Sequence, residues 1–440
     1  MQSNRDAAIM VNKNSLYCVL LAFGLAACSS DESERTNSAA PNAAETTAEL
    51  PTQADEPAPI TIGHIDSLAS EILGEARDIW IYVPESARLP ENSNSAYPVV
   101  YLLDGNGHFH SVSGMIRQLS AINGNTEVPE MVVVAIPNTD RMRDLTPTHT
   151  EGTTGGGKKF LSFIETELLP YVEENYPVTQ YRTFIGHSLG GLTVIDALFD
   201  MPELFQNYIA IDPSLWWDDQ VLLKKSEAML NELDLSGKSL FVGVANTTRG
   251  RIGYDEVRQD VDPSTLHMRS ILEFTRLAQA DTDNGLSFGW EYYDDDSHGS
   301  VPLISEYDAF RFIFPWYSRT DLTNSLHMDP TTPVDQLLGY VGAHFDTVSS
   351  HFGYRVLPPE SYINSRARGL VANDRPDAAL AFLSLNLQNY PQSASAHEAL
   401  GDYYLELENT DDALQHFTHA VDLGAGGEIQ EKISALLRDD

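Results

Sequence analysis

Thr183-Phe184-Ile185-Gly186-His187-Ser188-Leu189-Gly190-Gly191-Leu192 decides how the rest of this 440-residue chain is read. Its opening residues are β-branched or aromatic and suit a strand. The apolar run from Gly191 through Leu198 suits a helix. Between them, Gly186-His187-Ser188-Leu189-Gly190 fits G-x-S-x-G, in which a serine stands on a sharp strand-to-helix turn. The glycines answer a steric demand, because backbone must pass close by on both sides of the serine. Ser188 is therefore the candidate nucleophile. His187 is the variable residue of the pattern, its side chain turned aside.

Outward from this turn, short β-rich runs alternate with helical patterns from residue 59 to about 320. Strands are predicted over 77–83, 98–103, 131–136, 183–186, 208–211, 240–245 and 287–293. Several are near-continuous Val/Ile/Leu runs, as strands buried on both faces require. Over 158–176, Phe160, Phe163, Ile164, Leu168 and Leu169 recur at helical spacing. The alternation predicts an α/β fold with a mostly parallel sheet. Gly155-Gly156-Gly157-Lys158 lacks the first Gly and the final Ser/Thr of a phosphate loop, and reads as a flexible lead-in to the helix.

A serine nucleophile needs a base. Among 13 histidines, His298 lies in the right chain order, in the polar loop Asp294-Asp295-Asp296-Ser297-His298-Gly299 after a strand. Nearby carboxylates would favour the imidazolium that forms during attack. The acid is expected after the strand 240–245, yet Asn246-Thr247-Thr248 stands there. Asp260 is the favoured candidate, with Asp255, Glu256 and Asp262 as alternatives and a Ser–His dyad also open. Oxyanion donors are expected from Leu189 and from Gly105 or Asn106, in the loop after the strand 98–103. Trp216 and Trp217 could wall a substrate pocket. Arg141 could hold a substrate oxygen, or pair with Asp144 to brace its loop. No metal-ligand spacing is visible, and no cofactor is implied.

Composition bounds the partners. There are 27 basic and 64 acidic residues, a net charge of −37. Phosphate neutralisation needs clustered Lys/Arg, so nucleic acid is excluded as a partner. The two cysteines, Cys18 and Cys28, both lie near the N-terminus and cannot form a disulfide framework. Residues 1–28 read as a signal peptide ending in Leu25-Ala26-Ala27-Cys28, which resembles a bacterial lipobox with Cys28 as the lipidated residue. Ser29 follows where no Asp stands, which points to the outer membrane, facing the periplasm. Residues 29–58 are acidic and rich in Ser, Thr, Ala and Pro, with no aromatic residue. They read as a disordered tether with a reach of about 30 Å.

From residue 359 the chain reads helical to its end. Leu400, Gly401, Tyr404, Ala413, Phe417 and Ala420 fall where a tetratricopeptide repeat wants them. His397 takes the Trp place, and Ala425 the closing Pro place. One period earlier only Ala379 and Pro391 match. The reading is one good repeat, one degenerate repeat and a capping helix over 428–438. Such a unit has too few copies to stand alone and should lean on the preceding domain.

Tyr101-Leu102-Leu103-Asp104-Gly105, Asp140-Arg141-Met142-Arg143-Asp144-Leu145-Thr146-Pro147, the Ser188 turn, Asp212-Pro213-Ser214-Leu215-Trp216-Trp217 and His298-Gly299-Ser300-Val301-Pro302 together resemble the esterase family of α/β-hydrolases that includes esterase D and the siderophore trilactone esterases. The resemblance covers 59–320. It implies a serine carboxylic-ester hydrolase with Ser188 as nucleophile and His298 as base, acting on a small-molecule ester. Some relatives use a Ser–His dyad. The expected organisation is a signal peptide (1–28), linker (29–58), hydrolase domain (59–320), connecting segment (321–358) and tetratricopeptide-like tail (359–440). Two rival readings remain. One is an acyltransferase on the same scaffold. The other is a non-catalytic lipoprotein, anchored to the membrane, that binds protein partners through its helical repeats.

Overall fold

The computed structural model describes residues 59–89, 95–248, 252–280, 283–327 and 331–439. The predicted signal peptide, Cys28 and the linker 29–58 lie outside the described residues. Among the described residues, eight strands form one sheet: β1 (His64–Ser70), β2 (Glu75–Tyr82), β3 (Tyr97–Leu103), β4 (Val132–Ile136), β5 (Val178–His187), β6 (Asn207–Ile211), β7 (Ser239–Ala245) and β8 (Ser287–Tyr293). Their spatial order is β1-β2-β4-β3-β5-β6-β7-β8. The first two pairings are antiparallel, and every pairing from β4 to β8 is parallel. This is the mostly parallel α/β sheet expected from the alternation, and the α/β-hydrolase architecture implied by the resemblance. Only β1 escaped the sequence reading. It lies on the edge and is largely exposed, Ile65 included, so it carries no continuous apolar run.

The central parallel strands β3, β4, β6 and β7 are buried on both faces, and side chains alternate between two cores. In β3, Val99, Tyr101 and Leu103 enter one cluster, while Val100 and Leu102 enter the other. The helices that complete these layers are α1 (Gly105–Ser120), α2 (Arg141–Asp144), α3 (Gly157–Phe163), α4 (Leu169–Asn175), α5 (Leu189–Asp200), α6 (Trp217–Glu232), α7 (Tyr254–Val257), α8 (Leu266–Ala280) and α9 (Val301–Ile313). A π-helical turn, Ile164–Leu168, joins α3 to α4. It lies where Pro170 has no N–H to give to the preceding turn.

The glycines before α3 do not form the flexible lead-in expected of them. A Cβ on Gly155, at φ +95°, would lie 2.7 Å from the His149 backbone. The Gly156 and Gly157 N–H groups donate to the carbonyls of Arg143 and Thr146. These glycines are a close-packing seam against the α2 loop.

Beyond α9 the chain is helical: α10 (Thr320–His327), α11 (Val334–Phe352), α12 (Glu360–Ala372), α13 (Pro376–Asn389), α14 (Ala394–Glu406), α15 (Thr410–Asp422) and α16 (Gly427–Asp439). The segment 321–358, expected only to connect, contains α11, which belongs to two cores. Its Val348 and Phe352 pack in one cluster with Tyr181, Phe310 and Phe314 of the hydrolase body. Its Leu337, Val341 and Phe345 pack in another with Ile363, Phe382 and Leu400 of the tail. The tail therefore leans on the body through α11. Gly401 admits the Phe417 ring, which would lie 2.5 Å from a Cβ there. Among the described residues, no helix is long and apolar enough to cross a membrane.

Candidate active site

Ser188 sits between β5 and α5 with φ 61° and ψ −116°. A side chain at positive φ is costly, on the order of 1–3 kcal/mol, and persists only where its surroundings enforce it. Here the enforcement is visible. A Cβ on Gly186 would lie 2.3 Å from the Gly190 carbonyl, and one on Gly191 would lie 3.0 Å from Pro213. The Ser188 N–H donates to the Ile211 carbonyl at 2.9 Å, and the Ser188 carbonyl accepts from the Ser214 N–H at 2.9 Å. The turn is thus stitched to the end of β6.

That stitching also brings a carboxylate to the site. The β5–β6 register pairs His187 with Ile211, so the residues just past each strand, Ser188 and Asp212, are neighbours. Asp212 is fully buried and also has positive φ, 43°. Its Oδ1 accepts the Ala245 N–H at 3.0 Å. Its Oδ2 lies 2.5 Å from His298 Nδ1 and 2.9 Å from His267 Nε2. An ionised carboxylate only accepts, so both rings donate N–H there. Burial opposes the charge, but the hydrogen bonds from His267 and His298 outweigh it and hold the Asp212 carboxyl well below the usual range. With Nδ1–H committed, the His298 Nε2 lone pair is left for the pocket.

The carboxylate facing His298 is therefore not Asp260. Asp260 Oδ1 accepts from the Val261 and Asp262 N–H groups and closes its own turn. Asp262 caps the short helix Pro263–Thr265, and Glu256 accepts from the Gly253 N–H. Asp255 is exposed on α7. Asn246 ties the His298 loop in place: its N–H donates to the Asp296 carbonyl at 2.8 Å, and its amide donates to the Asp294 carbonyl at 3.0 Å. Asp296 in turn accepts from Ser300. The acidic run beside His298 shapes the loop, while the imidazole's carboxylate comes from β6.

Ser188, Ser214, Trp216, His267 and His298 line an open pocket of about 240 Å³. Ser188 Oγ lies 3.3 Å from Ser214 Oγ. Among the described residues it makes no direct hydrogen bond to His298, a looseness common before substrate binds. Trp216 is exposed at the rim. Trp217 instead is buried in the core, its Nε1–H donating to Thr148 at 3.2 Å, so it walls nothing. Three successive residues, Asp218, Asp219 and Gln220, have left-handed backbone and turn the chain sharply between Trp216 and the rest of α6.

Arg141 does not pair with Asp144. Its guanidinium grips Asp104 at 2.6 and 2.9 Å and the His187 carbonyl at 3.1 Å. Asp144 is held by Arg77 and Arg143 instead. Asp104 precedes α1 with φ 52°, and its Oδ2 would lie 3.2 Å from a Cβ on Gly190. The starts of α1 and α5 thus abut. The leading N–H groups of each helix, those of Gly105, Asn106 and Leu189 among them, have no intrahelical acceptor. A Cβ on Gly105 would lie 2.8 Å from the Ile136 nitrogen, which explains glycine there.

Behind His298 the interior is polar. The His187 ring lies 4.5 Å from that of His298, and burial pushes it down to about 4, so it is neutral. Further in, Glu306 is buried with one oxygen 3.6 Å from His108 Nδ1. Burial pushes its carboxyl up to about 8. The sequence reading missed His267 and Asp212. The signal for Asp212 was present: a carboxylate directly after the apolar strand 207–211, one place from the register of the serine.

An eight-stranded α/β-hydrolase sheet with a serine turn at its centre defines the class, and comparison with known proteins narrows it. A family model described as "Putative esterase" matches residues 70–247. An IroE-like serine hydrolase from Shewanella oneidensis is 30% identical, with a TM-score of 0.60 over 74% of this chain and 99% of that one. The chain belongs to this esterase family. An uncharacterised protein from Capnocytophaga ochracea shares the fold at 16% identity, with a TM-score of 0.57 over 86% of this chain and 99% of its own. The ferri-bacillibactin esterase BesA of Bacillus subtilis is 34% identical over 173 residues, 35% of this chain and 59% of that protein. A siderophore enterobactin esterase of Emericella nidulans is 30% identical over 202 residues, 40% of this chain and 65% of that protein. The matches thus span less than two thirds of these two relatives.

Proposed function

We propose that the protein is a serine ester hydrolase acting on siderophore-type esters. Ser188 attacks the ester carbonyl, and His298 takes its proton through Nε2. Asp212 fixes the imidazole tautomer and stabilises the imidazolium. The N–H of Leu189, with that of Gly105 or Asn106, receives the oxyanion. The alcohol leaves with the proton from His298, and water then releases the acyl group. The observation that carries this reading is the His298–Asp212 hydrogen bond at 2.5 Å beside the Ser188 turn. The pocket is open, and the His298 side chain is 42% exposed, which favours water as acceptor over a second alcohol. Relatives named for siderophore ester cleavage support the substrate class, and Trp216 at the rim offers an aromatic face for stacking.

Fluorophosphonate labelling of the wild type beside Ser188→Ala and His298→Ala tests the mechanism. Labelling of the wild type alone is expected. Absence of labelling in a folded wild type would sink the reading. A panel of aryl acyl esters with ferric and iron-free catecholate trilactones then tests the substrate class, with higher kcat/KM expected on a trilactone. Tethering through a lipid on Cys28, at the outer membrane, is part of the same proposal. Incorporation of labelled palmitate, lost in Cys28→Ala, is its check.

A further inference from the structure

Ester hydrolysis by a triad needs one histidine on the carboxylate, yet Asp212 holds two. The His267 Nε2, His298 Nδ1 and Asp212 carboxylate oxygen lie within 4.8 Å of one another. We propose that Asp212, His267 and His298 form a reversible binding site for a divalent transition ion such as Zn²⁺, and that its occupancy switches the hydrolase off. The switching half rests on the hydrolase reading above; the binding half does not.

Two imidazoles and a carboxylate match the donor set that zinc takes at sites with an open fourth position. Bonds of about 2.0–2.2 Å place the ligand atoms of a tetrahedral site roughly 3.3 Å apart. The separations here, 2.5 and 2.9 Å to the shared oxygen, need only a modest spreading of two side chains. The carboxylate is already oriented from behind, since its other oxygen holds the Ala245 N–H; such outer support is what ligating groups usually need. The pocket gives the ion a way in, because both histidines line it.

The inhibitory step balances without any other reactant. Each imidazole must offer a lone pair to the ion where it now donates N–H. His298 therefore binds through Nδ1 and carries its proton on Nε2, and His267 binds through Nε2 and carries its proton on Nδ1. A protonated Nε2 cannot accept the Ser188 proton, so the nucleophile loses its base while the fold stays intact.

Among the described residues, the tail also offers imidazoles to the same ion. In the tail, His397 Nδ1 and His416 Nδ1 lie 3.1 Å apart, with the His419 ring 5.3 Å from that of His397. The test therefore uses the full chain carrying His397→Gln throughout. Zn²⁺ calorimetry and Co²⁺ absorption are recorded with Ser188→Ala, then with His267→Gln or His267→Cys added. We expect one Zn²⁺ per chain, at least tenfold weaker in His267→Gln and retained in His267→Cys, which keeps a ligand. Equal affinity in all three, or no binding, overturns the site. Fluorophosphonate labelling at Ser188, with and without Zn²⁺, tests the switch separately. Binding that depends on His267 while labelling stays unchanged by Zn²⁺ overturns the switch. No labelling even without the ion overturns the hydrolase reading and leaves the metal site standing.

Discussion

The loops that follow β6 and β7 emerge side by side from the same edge of the sheet, yet they do different work. The β7 loop is where the chain order of the fold leads one to expect the acid. It carries Asn246 and, further on, four carboxylates that close turns, cap a short helix or face solvent. The β6 loop carries one carboxylate, fully buried and hydrogen-bonded three times. The lesson is that the carboxylate meeting His298 comes from the β6 loop and not from the β7 loop. Asn246 then becomes free to hold the His298 loop. Burial alone does not define the acid either. Glu306 is as deeply buried as Asp212, but no imidazole shares its charge within hydrogen-bond distance.

Four changes would break or sharpen this contrast. Asp212→Asn keeps the shape but favours the wrong tautomer of His298, so kcat/KM on an aryl ester should fall by about 10³–10⁴. A loss below tenfold would return the acid to the β7 loop or to a dyad. Glu306→Gln should act on stability. Its folded carboxyl is raised to about 8, whereas an unfolded one titrates near 4.3. The native state therefore binds more protons over that window, and wild-type stability falls as pH rises through it. Melting curves should show Glu306→Gln gaining on the wild type at pH 8 relative to pH 4.5; parallel curves would remove Glu306 as a titrating group. Asn246→Ala should cost activity roughly three- to tenfold, the scale of one or two net hydrogen bonds that position a loop. Asp260→Asn should leave kcat/KM within about twofold, and a larger fall would restore the β7 loop to the mechanism.

Much of the molecule was legible in the sequence because its signals are local. Seven strands announced themselves as short β-rich runs, and Ser188 and His298 sit in short motifs with a strand before each. What was not legible depends on register. Asp212 was read only as part of Asp212-Pro213-Ser214-Leu215-Trp216-Trp217, where it marks a resemblance; only the pairing of His187 with Ile211 makes it the neighbour of Ser188. His267 lies at the start of α8, next to residues whose inward face is apolar, and nothing in its spacing distinguishes it from a core histidine. Arg141 was legible as a brace but not its partner, because Asp104 lies 37 residues away. Trp216 and Trp217 look equivalent in sequence, yet one stands exposed and the other is buried in the core.

The backbone at Ser188 has one more consequence, for how the protein withstands heat. Its conformation, φ 61° and ψ −116°, is one that glycine adopts freely and any residue with a Cβ resists. Ser188→Ala keeps that resistance, while Ser188→Gly removes it, so of two equally inert proteins the glycine form should melt later. Under the hydrolase reading the relieved backbone comes only with loss of the nucleophile, so thermal endurance and chemistry pull in opposite directions at this one residue.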